Sequence, residues 1–124
     1  MTEKGGLNSL AILIVPACER GRGGGHLSRS LLLLRSLRFK GRKAYLWIPD
    51  NLKEDFLQRF RDFFKTIDHP CILSHKEELD SLTWDFIVLD CFRNNGKDFV
   101  FWSELAPLIG IDEGGHFRNR FFAP

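Results

Sequence analysis

A cluster of glycines followed by a histidine stands near the start of the chain, between two patterns of regular structure. The segment Gly21-Arg-Gly-Gly-Gly25 precedes His26, and it follows an aliphatic run, Leu10–Val15, that is typical of a strand buried on both faces. Glycines permit sharp turns and close approach of a ligand to the backbone, and the unpaired amides at a helix start attract phosphate. The segment therefore predicts a phosphate site, with a plain tight turn as the alternative. The contacts are expected from Gly23, Gly24 and Gly25, with Arg22 and Arg29 as nearby cations.

Two well-known glycine motifs can be compared with this segment. A P-loop needs lysine and serine or threonine after its last glycine, whereas His26 and Leu27 stand there, so the P-loop is excluded. A dinucleotide fingerprint fits in part, since Gly23-x-Gly25 is followed by Ser28 in the place of the third glycine. Asp50 then ends the second predicted strand, where a ribose-binding acid would stand. A dinucleotide-binding domain therefore remains an alternative.

His26 and two aspartates are the candidate reactive groups. The dipole at a helix start disfavours imidazolium, so His26 is expected to stay neutral and able to accept a proton; capping or packing is the alternative. Asp90 and Asp112 each directly follow a hydrophobic strand pattern. Because carboxyl ends of parallel strands share one edge of a sheet, these acids are expected beside the glycine segment. Helix capping or turn formation is the alternative for each aspartate.

The elements that must position these groups alternate along the chain. Apolar residues repeat at helical spacing from His26 to Lys40, and Gly41 stands where a C-terminal glycine is expected. Asn51 and Glu54 predict a capping box for a second helix, whose phenylalanine stripe is expected in the core, or against a partner or bilayer. The remaining elements are strands at Ala44–Ile48, Cys71–Leu73, Phe86–Leu89 and Leu108–Ile111, and helical stretches at Lys76–Leu82 and Asp98–Leu105. This alternation predicts one α/β domain over residues 1–124: an open parallel sheet with helices on both faces.

Composition and charge narrow the class of protein. The chain has 124 residues, 44% of them hydrophobic and 27% charged, which excludes a disordered protein and suits one domain. Eight basic residues lie between positions 20 and 43, which favours anionic ligands or simply forms a solvated helix face. His69, Cys71 and His75 lack zinc-site spacing and a fourth ligand nearby, so no metal is expected. No cofactor is predicted either. The three scattered cysteines imply no disulfide framework.

Location and partners follow from the two ends of the sequence. The start carries no signal-peptide pattern and Leu10–Val15 is too short to span a membrane, so a cytoplasmic protein with at most peripheral membrane contact is expected. The last eight residues of the sequence include three phenylalanines, Phe117, Phe121 and Phe122. Such a tail is expected to fold back over the sheet or to hold a second copy of the chain, unless the chain stops partway through a larger design. A nucleic-acid partner is not expected.

The segment Gly23-Gly-Gly-His26-Leu-Ser-Arg29 resembles the glycine–histidine–x–x–arginine segment of the UDP-sugar hydrolase of pseudaminic acid biosynthesis and its spore-coat polysaccharide relatives. The pieces Trp84–Asp90 and Ile109–Glu113 are similar to later strands of that family. The peptidoglycan N-acetylglucosaminyltransferase has a similar glycine-rich loop and histidine. These proteins share the GT-B architecture, in which two Rossmann-like lobes hold a nucleotide sugar between them.

The resemblance implies a Rossmann-like first lobe of a nucleotide-sugar hydrolase or glycosyltransferase. His26 would match the general base that activates water for attack at the anomeric carbon as UDP leaves, with no metal involved. Arg29 would support the loop or reach the substrate. In the family most nucleotide contacts come from a second lobe, which these 124 residues do not include, so we expect a half-domain that is inactive alone and needs a second-lobe polypeptide. A non-enzymatic binding or scaffold module is the other alternative.

Overall fold

The computed structural model describes residues 10–16, 24–67, 69–90 and 96–111. Strands and helices alternate throughout these ranges, as the hydrophobic patterns predict. The five strands are β1 (Ala11–Val15), β2 (Lys43–Trp47), β3 (Ile72–Leu73), β4 (Trp84–Asp90) and β5 (Leu108–Ile111). The four helices are α1 (Gly24–Phe39), α2 (Asp50–Arg59), α3 (Lys76–Leu79) and α4 (Gly96–Ser103), with 3-10 turns at Phe63–Lys65 and His69–Cys71. None of the helices in the described residues is both long and apolar enough to cross a bilayer.

The five strands form one sheet in the order β3-β2-β1-β4-β5, and every pair is parallel. The chain builds outward from β1 to β2 and β3, then returns to the other side of β1 for β4 and β5. This is the strand order of a Rossmann-like open sheet. The α/β class and the parallel sheet predicted from the sequence are confirmed.

Helices cover both faces of the sheet because successive strand residues point to opposite sides. On one face Ile12 and Ile14 of β1 join a core cluster with Leu31 and Leu34 of α1. On the other face Leu13 and Val15 join Leu79 of α3 and Trp102 of α4. All four of these β1 side chains are at most 5% exposed. The continuous aliphatic run of β1 therefore reflects burial on both sides, as expected for a central parallel strand.

The phenylalanine-rich stretch after β2 contributes to the core on the α1 side. Phe56 and Phe64 are buried, and their ring centroids lie 5.7 Å apart. Phe60 packs on Phe56 at 5.0 Å between ring centroids, and Phe63 lies 5.1 Å from Phe64. The core interpretation of this stripe is confirmed. The phenylalanines after residue 116 lie outside the described residues, so the expectation of a docking tail stays a prediction.

Several predicted element boundaries differ from the structure for identifiable reasons. Gly41 ends α1 with a φ of 85°, a left-handed conformation that favours glycine, so the predicted stop is confirmed. The predicted capping box of Asn51 and Glu54 is wrong: α2 begins at Asp50 and has no side-chain cap, because Pro49 occupies the capping position. The predicted helical stretch at Lys76–Leu82 is shorter, with α3 ending at Leu79.

Candidate functional site

The strand order of the sheet reverses between β1 and β4, and β4 ends at Asp90, one of the predicted site residues. β1 connects toward β2, whereas its other neighbour, β4, is reached only after β3. Open α/β sheets bind ligands in a crevice outside the carboxyl ends of the strands at such a reversal, and here that position lies between β1 and β4. Val15 pairs with Leu89, so Asp90 lies one residue beyond the end of β1, and it pairs in turn with Ile111 of β5.

Helix α1 begins at this crevice, two residues earlier than predicted. The spacing of apolar residues suggested a start at His26, but Gly24, Gly25 and His26 together form the first turn. Helix periodicity cannot detect these two positions because glycine has no side chain to place on either face. The first four amides of a helix lack partners within the helix, so this turn presents backbone donors without β-carbons on its first two residues.

The structure brings only part of the predicted constellation together. The backbones of Gly24, Gly25 and His26 lie at the start of α1, and Asp90 ends the strand beside β1. Arg29 lies in the second turn of the same helix and is exposed. Arg22, Gly23 and Asp112 lie outside the described residues; Asp112 directly follows β5 in the sequence. Their roles in the site stay predictions.

A second group of polar side chains, which the sequence patterns do not predict as a group, lies at the carboxyl ends of β2 and β3. Asp50 opens α2 after β2, and its Oδ1 lies 3.3 Å from Nε2 of His75. The Glu78 carboxylate accepts hydrogen bonds from the backbone amides of Ser74 at 2.8 Å and His75 at 2.9 Å. A polar residue followed three positions later by glutamate is a helix-start signal, and it could have revealed the second half of this arrangement.

These groups do not gather around a metal position. Within the described ranges no cluster of three or more histidine, cysteine, aspartate or glutamate residues could hold an ion. Cys71 is buried and forms no disulfide within the described residues, whereas His75 is exposed and faces Asp50. The cysteines at positions 18 and 91 lie outside the described residues.

The two backbone hydrogen bonds shift the acidity of Glu78. The bond from the Ser74 amide is the largest cause and lowers the pKa of this carboxyl group; partial burial opposes it, while the His75 amide and the charges of His75 and Lys53 lower it further. A carboxylate that accepts backbone N–H bonds is stabilised in its charged form. The folded pKa is therefore below the ordinary glutamate value, about 4.3 in an unfolded chain.

Replacing Glu78 by alanine is expected to lower the free energy of unfolding by about 1 kcal/mol at pH 7, the usual value of a helix-capping interaction. Because folding lowers the pKa of Glu78, its ionised form stabilises the protein above the unfolded pKa, and this stabilisation is lost as pH falls through the folded pKa. The difference between native and variant proteins should therefore shrink below about pH 4. Urea unfolding at pH 7 and pH 3.5 measures it, with the exposed Glu77→Ala as the matched control. An equal loss for both variants would contradict the capping role.

Comparison with known proteins does not assign this crevice to a family. The chain matches no protein-family model, no curated protein and no solved structure.

Proposed function

We propose that the chain is the nucleotide-sugar-binding first lobe of a GT-B-type hydrolase or glycosyltransferase. The observation that carries this proposal is the start of α1, at Gly24 and Gly25, in the crevice between β1 and β4 of a Rossmann-like sheet. A helix start in that position offers amides and a partial positive charge to a diphosphate. The resemblance of the segment from Gly23 to Arg29 supplies the class of ligand.

The proposal assigns His26 the role of general base. Its place in the first turn of α1 favours a neutral imidazole, because the helix dipole disfavours a positive charge there. A neutral imidazole can accept the proton of the water that attacks the anomeric carbon, while the sugar–phosphate bond breaks and UDP departs with the bonding electrons. Arg29, one turn further along α1, would support the loop or meet the substrate.

Asp90 is proposed to contact the sugar or the attacking water. It ends β4 one residue beyond the level of Val15 in the neighbouring β1, which puts its backbone at the rim of the crevice. A carboxylate there is an acceptor for hydroxyl groups. Asp112 is proposed to act similarly from the strand beside it.

Catalysis is proposed to need a second lobe. The described residues build one five-stranded sheet with one crevice edge, whereas the resembling enzymes enclose the nucleotide between two lobes. A general base accelerates a reaction only when the substrate is held in a reactive position. We therefore expect weak binding of nucleotide sugar to these 124 residues and turnover only in an assembly that supplies the missing contacts.

The first test of this proposal is an NMR titration of the 15N-labelled chain with UDP-N-acetylglucosamine. The largest amide shifts are expected at Gly24, Gly25 and His26, with smaller ones near Asp90, because the diphosphate would accept hydrogen bonds from the first turn of α1. NAD at the same concentration is the control ligand, and it should leave the chemical shifts of these amides unchanged. Absence of any shift at the start of α1 up to millimolar UDP-sugar would refute the proposed site.

A dinucleotide-binding domain is the second candidate, and the position of Asp50 favours it. Asp50 follows β2 at the carboxyl edge, where Rossmann domains place an acid that binds the ribose. Nε2 of His75 lies 3.3 Å from Oδ1 of Asp50, so the histidine would have to move away before a ribose could bind this carboxylate. In the same titration, shifts at Asp50 and His75 caused by NAD alone would favour this candidate over the nucleotide-sugar lobe.

A further inference from the structure

The outer face of α1 carries large apolar side chains that no part of the described structure covers. Phe39, in the last turn, is 90% exposed, and Leu32, two turns earlier, is 55% exposed. Positions 32, 35, 36 and 39 follow one another at helical spacing, so these two side chains share a stripe with Arg35 and Ser36. An almost fully exposed phenylalanine in such a stripe is a typical mark of a contact surface.

The segment that carries this stripe has charged residues of one sign only. Residues 24–49 include six basic residues and no aspartate or glutamate. Two of the six make contacts within the fold. Arg38 donates a hydrogen bond to the Ala44 carbonyl at 2.7 Å, and Arg42 donates one to the Asp85 carboxylate at 2.9 Å. Arg35, Lys40 and Lys43 are exposed. This face of α1 therefore combines exposed apolar groups with positive charge.

A groove runs beside the stripe, between the end of α1 and the segment that follows the 3-10 turn at Phe63–Lys65. Its volume is about 410 Å³, and it is lined by Arg35, Arg38, Phe39, Thr66 and Ile67. The Arg35 guanidinium lies over the Phe63 ring, 5.4 Å from its centroid, which fixes one cation at the wall of the groove. Guanidinium groups bind phosphate in two-point geometry, and Phe39 and Ile67 add apolar walls.

We propose that this face of α1, defined by Leu32, Arg35, Phe39 and the adjoining groove, docks on the surface of an anionic phospholipid bilayer. A peripheral helix of this kind buries its aromatic and aliphatic side chains at the headgroup boundary while its lysines and arginines meet lipid phosphates. Phe39 and Leu32 enter the interfacial layer, and the groove receives one phosphate headgroup. Charge complementarity with acidic lipid selects this occupant, because two arginines and no acidic residue line the groove beside the exposed apolar side chains.

The docking surface is separate from the crevice proposed as the nucleotide-sugar site. Fifteen helical steps separate Gly24 from Phe39, which is about 22 Å along the axis at 1.5 Å per residue. The end of α1 lies at the amino edge of the sheet, because a crossover helix runs antiparallel to its strands. Membrane docking at Phe39 therefore leaves the start of α1 accessible. Failure of the docking proposal would not contradict the proposed function, and failure of the proposed function would not contradict docking.

The test is co-sedimentation of the full 124-residue chain with vesicles of phosphatidylcholine alone and of phosphatidylcholine with 30% phosphatidylglycerol. Binding is expected only to the anionic vesicles, and it should weaken in 0.5 M salt because surface charge is screened. Phe39→Ser and Arg35→Glu are each expected to lower the partition coefficient about tenfold or more.

Two matched variants separate this surface from a general effect of charge or hydrophobicity. Val100 is 52% exposed on α4, which packs on the opposite face of the sheet, and Lys76 opens α3 on that same face. Val100→Ser and Lys76→Glu should bind anionic vesicles as the native chain does, and circular dichroism should show all four variants folded. Native binding by Phe39→Ser and Arg35→Glu, or no binding by the native chain, would overturn the proposal.

Two further measurements would overturn the proposal by showing that this face binds a different partner. Sedimentation velocity that shows a dimer dissociated by Phe39→Ser, without vesicle binding, would assign the face to a second copy of the chain. Binding of a labelled single-stranded oligonucleotide that requires Arg35, with no affinity for vesicles, would assign it to nucleic acid.

Discussion

Replacing His26 by alanine is expected to lower the rate of UDP release from a UDP-sugar by 100-fold or more in an assembly that contains both lobes. General-base catalysis by a positioned side chain contributes roughly 10²–10⁴-fold, and alanine cannot accept the proton of the attacking water. The loss should appear in kcat, whereas KM should change little, because the helix amides that hold the diphosphate remain. Steady-state assay of UDP release measures both constants.

His75→Ala is the matched control for this experiment. His75 also lies at the carboxyl edge of the sheet, but it faces Asp50 at the ends of β2 and β3 instead of the crevice between β1 and β4. Its loss should leave UDP release within about twofold of the native rate, since it has no proposed part in the chemistry. Native turnover by the His26→Ala enzyme would show that this residue is not the general base. That result would not contradict the fold described above.

Replacing Leu34 by alanine is expected to lower the free energy of unfolding by about 3 kcal/mol. Leu34 is 0% exposed and packs in the cluster between α1 and the sheet, so its truncation leaves a cavity in addition to the lost burial. Native domains have free energies of unfolding of only about 5–15 kcal/mol, so this change is a large fraction of the total. The melting temperature should fall by roughly 10 °C.

Leu32→Ala is the matched control, since it removes the same atoms from the same helix. Leu32 is 55% exposed, and alanine is the better helix former, so its free energy of unfolding should stay within about 0.5 kcal/mol of the native value. Urea unfolding followed by circular dichroism measures both variants. Similar losses for both positions would show that α1 is not anchored through Leu34.

Local patterns in the sequence predict most of the elements because each depends on neighbours a few residues away. The spacing of Leu31 and Leu34 identifies the buried face of α1, and Gly41 identifies its end. The exposure of Phe39 could have been predicted too, since a position five residues after Leu34 lies about 140° around the helix from it. The start of α1 was less predictable, because Gly24 and Gly25 contribute no side chain to the pattern.

Features that depend on competition between local partners were predicted less well. Asn51 and Glu54 have the residue types of a capping box, yet α2 starts at Asp50, so that Asn51 already lies inside the helix. Glu78 instead stabilises the start of α3 by accepting the amides of Ser74 and His75. Both pairs have the same spacing, but only in the second does the helix begin directly after the polar residue, so that the glutamate can reach its backbone amide.

The sequence by itself determined the class of the fold, the buried strand β1 and the glycine–histidine segment after it, because these depend on residue type and short-range spacing. Only the tertiary structure decided that β4 lies beside β1, since no local pattern encodes which strands pair across long connections. That pairing places the end of β4, at Asp90, next to the end of β1 at the carboxyl edge of the sheet. It also leaves the α1 face that carries Phe39 uncovered within the described structure, because a helix buries only the side that meets the sheet.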